Sequence, residues 1–337
     1  MLDTRRRQFI TLLGGAATWP RAVRAQRRPR NFQPSGLLGP PERRMAVQAV
    51  KDNEQARAHS TQEEKTMTID RRSLLQAGLT TAAVGSVSIA AAGTGAAQST
   101  SKTYVLVHGA WHGGWCWKEV ADVLRGMGHR VTTPTQTGLG ERKHLLSKDI
   151  TLDTFAADVV NHIEAEELNE VILVGHSFGG TSITGAADKI PNRIRHLVYL
   201  DTVILENGKS VFSVLPPDVV ASRRKTVAEQ GQGIFIPPPP PTAFGIPENH
   251  ASADWVKRRL TPHPVGTYDS PMRIDNPVAN GRPRTYIACT NPMYGLLEGA
   301  RQWVKKQEDW KWQEIATGHD AMVTAPAELA RMLAAIG

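Results

Sequence analysis

The chain has 337 residues and a formal net charge of +8, but that charge is unevenly spread. Residues 1–98 hold 15 Lys and Arg against 7 Asp and Glu, whereas residues 99–337 hold 25 of each. The body of the protein is neutral, which excludes a nucleic-acid partner inferred from charge.

The basic front end reads as targeting sequence. Asp70-Arg71-Arg72-Ser73-Leu74-Leu75 precedes a weakly apolar, Ala/Gly/Thr-rich run to about Ala92, and small residues lead to Ala96-Ala97-Gln98. Paired arginines, a modest apolar region and a small-residue cleavage site resemble a twin-arginine export signal starting at Met67. Arg6-Arg7-Gln8-Phe9-Ile10 opens a second such segment, ending near Ala25. Two tandem signals make little physical sense, because cleavage at one removes the purpose of the other. Residues 1–66 are therefore read as a mis-assigned or fused extension, 67–98 as the export signal and 99–337 as the working domain, exported to the periplasm or secreted. Neither apolar run reaches about 18 uninterrupted residues, so no permanent membrane span is expected. Cys116 and Cys289 are the only cysteines and are expected to be unpaired, largely buried thiols. They cannot by themselves build a metal site, and neither metal nor cofactor is called for.

Tyr104-Val105-Leu106-Val107 reads as a strand that breaks into the loop His108-Gly109-Ala110-Trp111-His112-Gly113-Gly114-Trp115, with a helix over 116–127. A strand over 129–133, an amphipathic helix over 151–168 (Leu152, Phe155, Val159, Ile163) and a strand at 171–174 follow. This last strand runs into Gly175-His176-Ser177-Phe178-Gly179, a G-x-S-x-G pentapeptide followed by a helical segment. Strand, sharp turn and helix make a nucleophile elbow, with glycines two before and two after the serine leaving room for a close approach. Ile194–Leu200 is a further strand, stopping at Asp201.

From 202 to 283 the period breaks down. Pro216-Pro217 and the run Pro237–Pro241 forbid a regular core element. Short helices are expected over 218–229 and 251–260, with the proline run as a polyproline edge. The segment keeps Phe212, Phe235, Phe244, Trp255 and Tyr268, which a linker would not need, so it reads as a cap over the strand ends. A strand over 284–290, a helix over 296–307, a strand over 310–316 and a helix over 326–336 complete the chain. The order of elements predicts an α/β fold with a parallel sheet and helices on both faces.

A serine hydroxyl needs an adjacent base. His319 follows Gly318 just past the last strand and is the late loop histidine placed to serve. The combination of the 105–117 segment, Gly-His-Ser-Phe-Gly-Gly and Gly-His-Asp-Ala-Met-Val-Thr-Ala-Pro resembles the α/β-hydrolase superfamily. Within it the chain is most similar to the branch of plant methyl-ester esterases and hydroxynitrile lyases, with related bacterial esterases. The likeness covers nearly all of residues 103–337. It implies an oxyanion hole from the backbone N–H groups of Ala110 and Phe178, and a triad built on Ser177 and His319.

The chain departs from that pattern at the acid. The plant relatives place it just after the strand at 286–290, where this sequence reads Thr290-Asn291-Pro292-Met293. Asp201, at the end of the preceding strand, is the expected acid. Its bland alternative is a cap-hinge or helix-start aspartate, and Glu206 and Asp320 are less favoured, since Asp320 adjoins the base and should point away from it. The lyases of the branch carry a lysine after the catalytic histidine and a threonine before the oxyanion residue; here these are Asp320 and Gly109.

Trp111, Trp115 and Trp117 suggest an apolar pocket or, equally, core packing; Trp111 and His108 are the expected substrate contacts. No cluster of Arg or Lys is read as the mark of a charged substrate. The expected function is hydrolysis of a small, apolar or aromatic carboxylic ester through an acyl-enzyme, by a monomer or homodimer. The alternatives are an amidase, lactonase or C–C lyase on the same fold, or a non-catalytic ligand-binding relative.

Overall fold

Alternating apolar side chains, buried on both sides, define the strands around which the chain folds. The structure is a computed structural model that describes residues 101–337; both twin-arginine-like segments and the expected domain start near Ser99 lie outside the described residues. The first half runs β1 (Thr103–Val107), a 3-10 turn, α1 (Lys118–Gly126), β2 (Arg130–Thr132), α2 (Leu152–Ala165), β3 (Val171–His176), α3 (Gly179–Lys189) and β4 (Ile194–Leu200). The cap follows as α4 (Val211–Val214), α5 (Pro217–Glu229), β5 (Phe235–Ile236), α6 (Ala253–Lys257), β6 (His263–Pro264) and α7 (Gly266–Asp269). The chain then returns through β7 (Arg284–Cys289), α8 (Glu298–Lys305), β8 (Lys311–Ile315), α9 (Ala321–Thr324) and α10 (Pro326–Ala334).

Six strands form one sheet in the order β2-β1-β3-β4-β7-β8, every neighbouring pair parallel. Strand residues alternate between two cores, as the period of two requires. Val105, Val107, Val171, Leu173, Leu197 and Tyr199 face one, and Tyr104, Leu106, Ile172, Val174, Val198 and Leu200 the other. Leu152, Phe155, Val159 and Ile163 are buried along one side of α2, whose start is fixed by a Thr151/Thr154 capping box. The chain leaves β1 towards opposite edges for β2 and β3. The loops after β1 and β3 therefore meet at a switch point above the carboxyl ends of the strands, where open α/β sheets bind ligands.

The cap is less regular than its flanks. The expected helix over 251–260 shrinks to α6. The proline run is extended only to Pro240, because Pro241 opens a 3-10 turn to Phe244. β5 and β6 pair as a two-stranded antiparallel ribbon that local propensity does not signal, since one of its four residues is a proline. Among the described residues no helix is long and apolar enough to cross a membrane. Cys116 and Cys289 are buried and unpaired.

Candidate active site

Ser177 sits on the turn between β3 and α3 with φ of 51°, a left-handed conformation that a serine adopts only under constraint. The elbow glycines supply the constraint. A side chain on Gly179 would meet the Val107 and His108 carbonyl oxygens at 2.8 and 2.7 Å, and one on Gly175 would meet the Gly179 carbonyl at 2.7 Å. Helix and strands can therefore approach closely enough to force the turn. The Ser177 N–H is held by the Leu200 carbonyl at 3.1 Å.

Three side chains from separate elements converge there. Ser177 Oγ lies 2.8 Å from His319 Nε2, and His319 Nδ1 lies 2.7 Å from Asp201 Oδ2. With Nδ1–H donating to the carboxylate, Nε2 is free to accept the serine proton. Asp201 directly follows β4 with φ of 44°, its N–H bound to the Ile287 carbonyl of β7. The second oxygen of its carboxylate, Oδ1, accepts from Arg301 Nη2 at 2.8 Å, and both groups are buried. Burial pushes the Asp201 pKa up, but the His319 hydrogen bond and the His319 and Arg301 charges outweigh it and hold the carboxyl below its ordinary value.

Arg301 also donates through Nη1 to the Tyr294 carbonyl at 3.0 Å, and the Tyr294 ring stacks on His319 with centroids 4.3 Å apart. One guanidinium thus anchors both the acid beside the imidazole and the ring against its face.

Ala110 and Phe178 line the same cavity as Ser177, and neither backbone N–H has a hydrogen-bond partner among the described residues. The neighbouring Trp111 N–H is committed, to His263 Nδ1 at 3.3 Å. The cap holds Trp111 at three further points: its carbonyl accepts from Thr261 N–H at 2.9 Å and Thr261 Oγ1 at 3.4 Å, and its indole N–H donates to the Ile236 carbonyl at 3.0 Å. These contacts fix Trp111 at φ 64°. On the other side, His112 Nδ1 donates to the Ala110 carbonyl at 2.7 Å, and Nε2 donates to Asp320 Oδ2 at 3.0 Å. Acceptors at both nitrogens favour the imidazolium form of the ring. Burial opposes that charge, but the Asp320 charge and hydrogen bond, with the Ala110 carbonyl, raise the His112 pKa above its ordinary value.

The cavity measures about 260 Å³. Trp111, Phe178, Phe244, Leu297 and Trp303 give it an apolar wall, and Ser177 opens into it. His108, expected to touch substrate, does not line it. Its Nε2 accepts the Gln136 N–H at 3.1 Å and its Nδ1 donates to the Gly109 carbonyl at 2.8 Å, so the ring braces the loop. Burial drives its pKa down to about 3. Trp117 packs in the core beneath and Trp115 stacks on His112, which leaves Trp111 alone of the three on the cavity wall. Asp320 points away from the His319 ring, as adjacency in the chain requires. Glu206 lies exposed at the cavity rim, without an ion-pair partner among the described residues.

The model of the alpha/beta hydrolase family matches residues 104–332. The chain belongs to this family. A protein named as a carbendazim-hydrolysing esterase, from a Nocardioides species, is 40% identical over 242 residues, covering 69% of this chain and 99% of that protein. Methylesterase 2 of Arabidopsis thaliana is 32% identical over 173 residues, covering 48% of this chain and 61% of that protein. An extracellular alpha/beta-hydrolase from a Paenibacillus species has the same fold, with a TM-score of 0.61 at 24% identity over 69% of this chain and 97% of that one.

Several members of this alpha/beta hydrolase site carry no sequence signal. Arg301 is one arginine on a helix that ends at Lys305 and is followed by Lys306, and only the fold turns it towards Asp201. His112 and Asp320 are 208 positions apart. His263 lies in the cap, where periodicity is lost.

Proposed function

We propose that this alpha/beta hydrolase is a serine carboxylesterase acting on small esters with an apolar or aromatic part. The continuous hydrogen-bonded path Ser177–His319–Asp201 carries the proposal. His319 takes the proton as Ser177 Oγ attacks the ester carbonyl, and Asp201 stabilises the resulting imidazolium. The uncommitted N–H groups of Ala110 and Phe178 stabilise the oxyanion, the second at the start of α3, where the helix dipole favours negative charge. His319 then protonates the departing alkoxide, and later activates the water that releases the acid. The apolar wall of the cavity supports a preference for aliphatic or aromatic groups around the ester. The esterase names of relatives, the carbendazim-hydrolysing protein among them, support the ester class.

Lyase chemistry is the disfavoured alternative. The residue after His319 is Asp320, committed to His112, so no cation stands there to manage a cyanide leaving group. A side chain on Gly109 would lie 2.8 Å from Ser177 Cβ, so the threonine expected of that chemistry would displace the nucleophile.

The test is hydrolysis of p-nitrophenyl acetate and butyrate, followed by methyl and aryl esters, with Ser177→Ala as control. Turnover lost in Ser177→Ala together with covalent labelling by a fluorophosphonate is the expected result. Labelling without turnover of any ester would redirect the assignment to another acyl substrate, and absence of labelling would overturn it in favour of a binding role. Export ahead of residue 99 is likewise proposed from Arg71-Arg72, and N-terminal sequencing of periplasmic material would test it.

A further inference from the structure

Helix α5 carries three consecutive cations, Arg223-Arg224-Lys225, and they meet different fates. Arg224 pairs with Asp269 at 2.7 Å and Lys225 with Glu229 at 3.9 Å. Arg223 has no carboxylate partner among the described residues and lines the cavity that holds Ser177. Its place on the helix makes this unusual. Val220 and Val227, three before and four after, form the side of α5 packed on the core, so Arg223 occupies a position where an apolar residue belongs.

The half-buried guanidinium lies over aromatic rings that also line the cavity, its carbon 5.0 Å from the centre of Tyr268 and 5.8 Å from that of Trp111. Ring faces attract a cation, and the Tyr268 and Tyr294 hydroxyls beside its N–H groups are neutral acceptors that leave its charge unpaired. The phenols do not cancel its charge. Burial pushes Tyr268 up to about 12 and Tyr294 above its ordinary value, more strongly than Arg223 draws them down, so both stay neutral. Among the described residues, Lys209 adds a second cation without a carboxylate partner at the rim, and Glu206 is the one carboxylate lining the cavity. The run at 223–225 is plain in the sequence, but which of its cations reaches the site is not, because residues 209 and 223 approach it only through the folding of the cap.

We propose that Arg223 is a specificity-determining residue that binds a carboxylate carried by the substrate away from its scissile ester, so that the preferred substrates are monoesters bearing a distal acid group. This rests on the esterase assignment of Ser177 and deepens it. A planar guanidinium offers paired donors matched to a carboxylate, and the apolar wall around it strengthens that pairing.

The experiment compares kcat/KM for monomethyl esters of C4 to C8 diacids with methyl esters of monoacids of equal length. A second arm compares acetate esters of ω-hydroxy acids with those of plain alcohols. In wild type, at least one acid-bearing ester should exceed its neutral counterpart. The ratio should fall about 10- to 100-fold in Arg223→Met, recover in part in Arg223→Lys, and stay unchanged in the surface control Arg224→Met. Neutral esters preferred throughout both arms, or a ratio unmoved in Arg223→Met, would overturn the subsite while leaving the esterase intact. No turnover of any ester in either arm would overturn the esterase assignment and the subsite with it.

Discussion

His112 and Asp320 form a buried ion pair 3.0 Å long, at 1% and 0% exposure, joining the loop after β1 to the loop that bears His319. Through Nδ1 the same ring holds the carbonyl of Ala110, a cavity-lining residue whose N–H is uncommitted among the described residues. The pair lies outside the Ser177–His319–Asp201 path, yet it connects the two segments that the proposed mechanism needs in register.

Asp320→Asn should therefore lower kcat, by about 10-fold, more than it alters KM, since positioning of an oxyanion donor matters most in the transition state. Its stability signature has a definite sign. The folded His112 pKa is raised above its unfolded value, so the pair contributes fully below about pH 6.5 and the contribution is lost as pH rises through the folded value. Urea unfolding should show the gap between wild type and Asp320→Asn widest near about pH 6 and narrowing in alkaline buffer. A gap independent of pH would count against the charged pair.

Asp201→Asn should cut kcat by about 10⁴ with the fold intact, because the amide cannot enforce the imidazole tautomer or stabilise the imidazolium. Activity within a few-fold of wild type would sink the assignment of Asp201 as the acid.

Arg301→Met leaves the Asp201 carboxylate buried without its fixed cation, and should cost about 3–5 kcal/mol of stability. Asp201 is held below its ordinary pKa, so its stabilising share is present above about pH 4 and is lost as pH falls through the lower folded value. Without Arg301 that loss begins at higher pH, and the acid limb of the kcat profile should move up with it. Stopped-assay profiles and thermal melts between about pH 4 and 7 measure both; an unmoved acid limb would mean that Arg301 acts only as packing.

Acid should destabilise the folded protein well above the carboxylate range. Burial lowers the pKa of His108 and His176 to about 3 and that of His263 well below 6.5, so the unfolded chain binds three protons that the fold refuses. The resulting loss is about 4 kcal/mol per pH unit on the acid side of pH 6. Unfolding free energies measured at intervals of half a pH unit should show this slope, and a flat profile down to about pH 5 would exclude it.

The ease of reading differed sharply along the chain. β4 has the bounds expected from its apolar run, and α2 buries the four residues its period picks out, because two-sided and one-sided burial leave plain patterns in sequence. The cap gave way to shorter pieces and an unforeseen ribbon, since prolines removed the periodicity on which such readings depend. His108 looked like a substrate contact because it sits in the loop after β1, yet its ring turns inward to two backbone groups.

Local order alone accounts for the elbow at Ser177, the glycines that permit it, the late histidine, and Asp201 as the carboxylate at a strand end. Each is written in neighbouring residues whose backbone demands or strand position can be read directly. Which distant side chains share a space depends on the folded arrangement. Arg301 behind Asp201, His112 against Asp320 and Arg223 over Tyr268 come together through parallel strand order and the path of the cap. Buried charges find partners across long chain separations, and no local pattern records that choice.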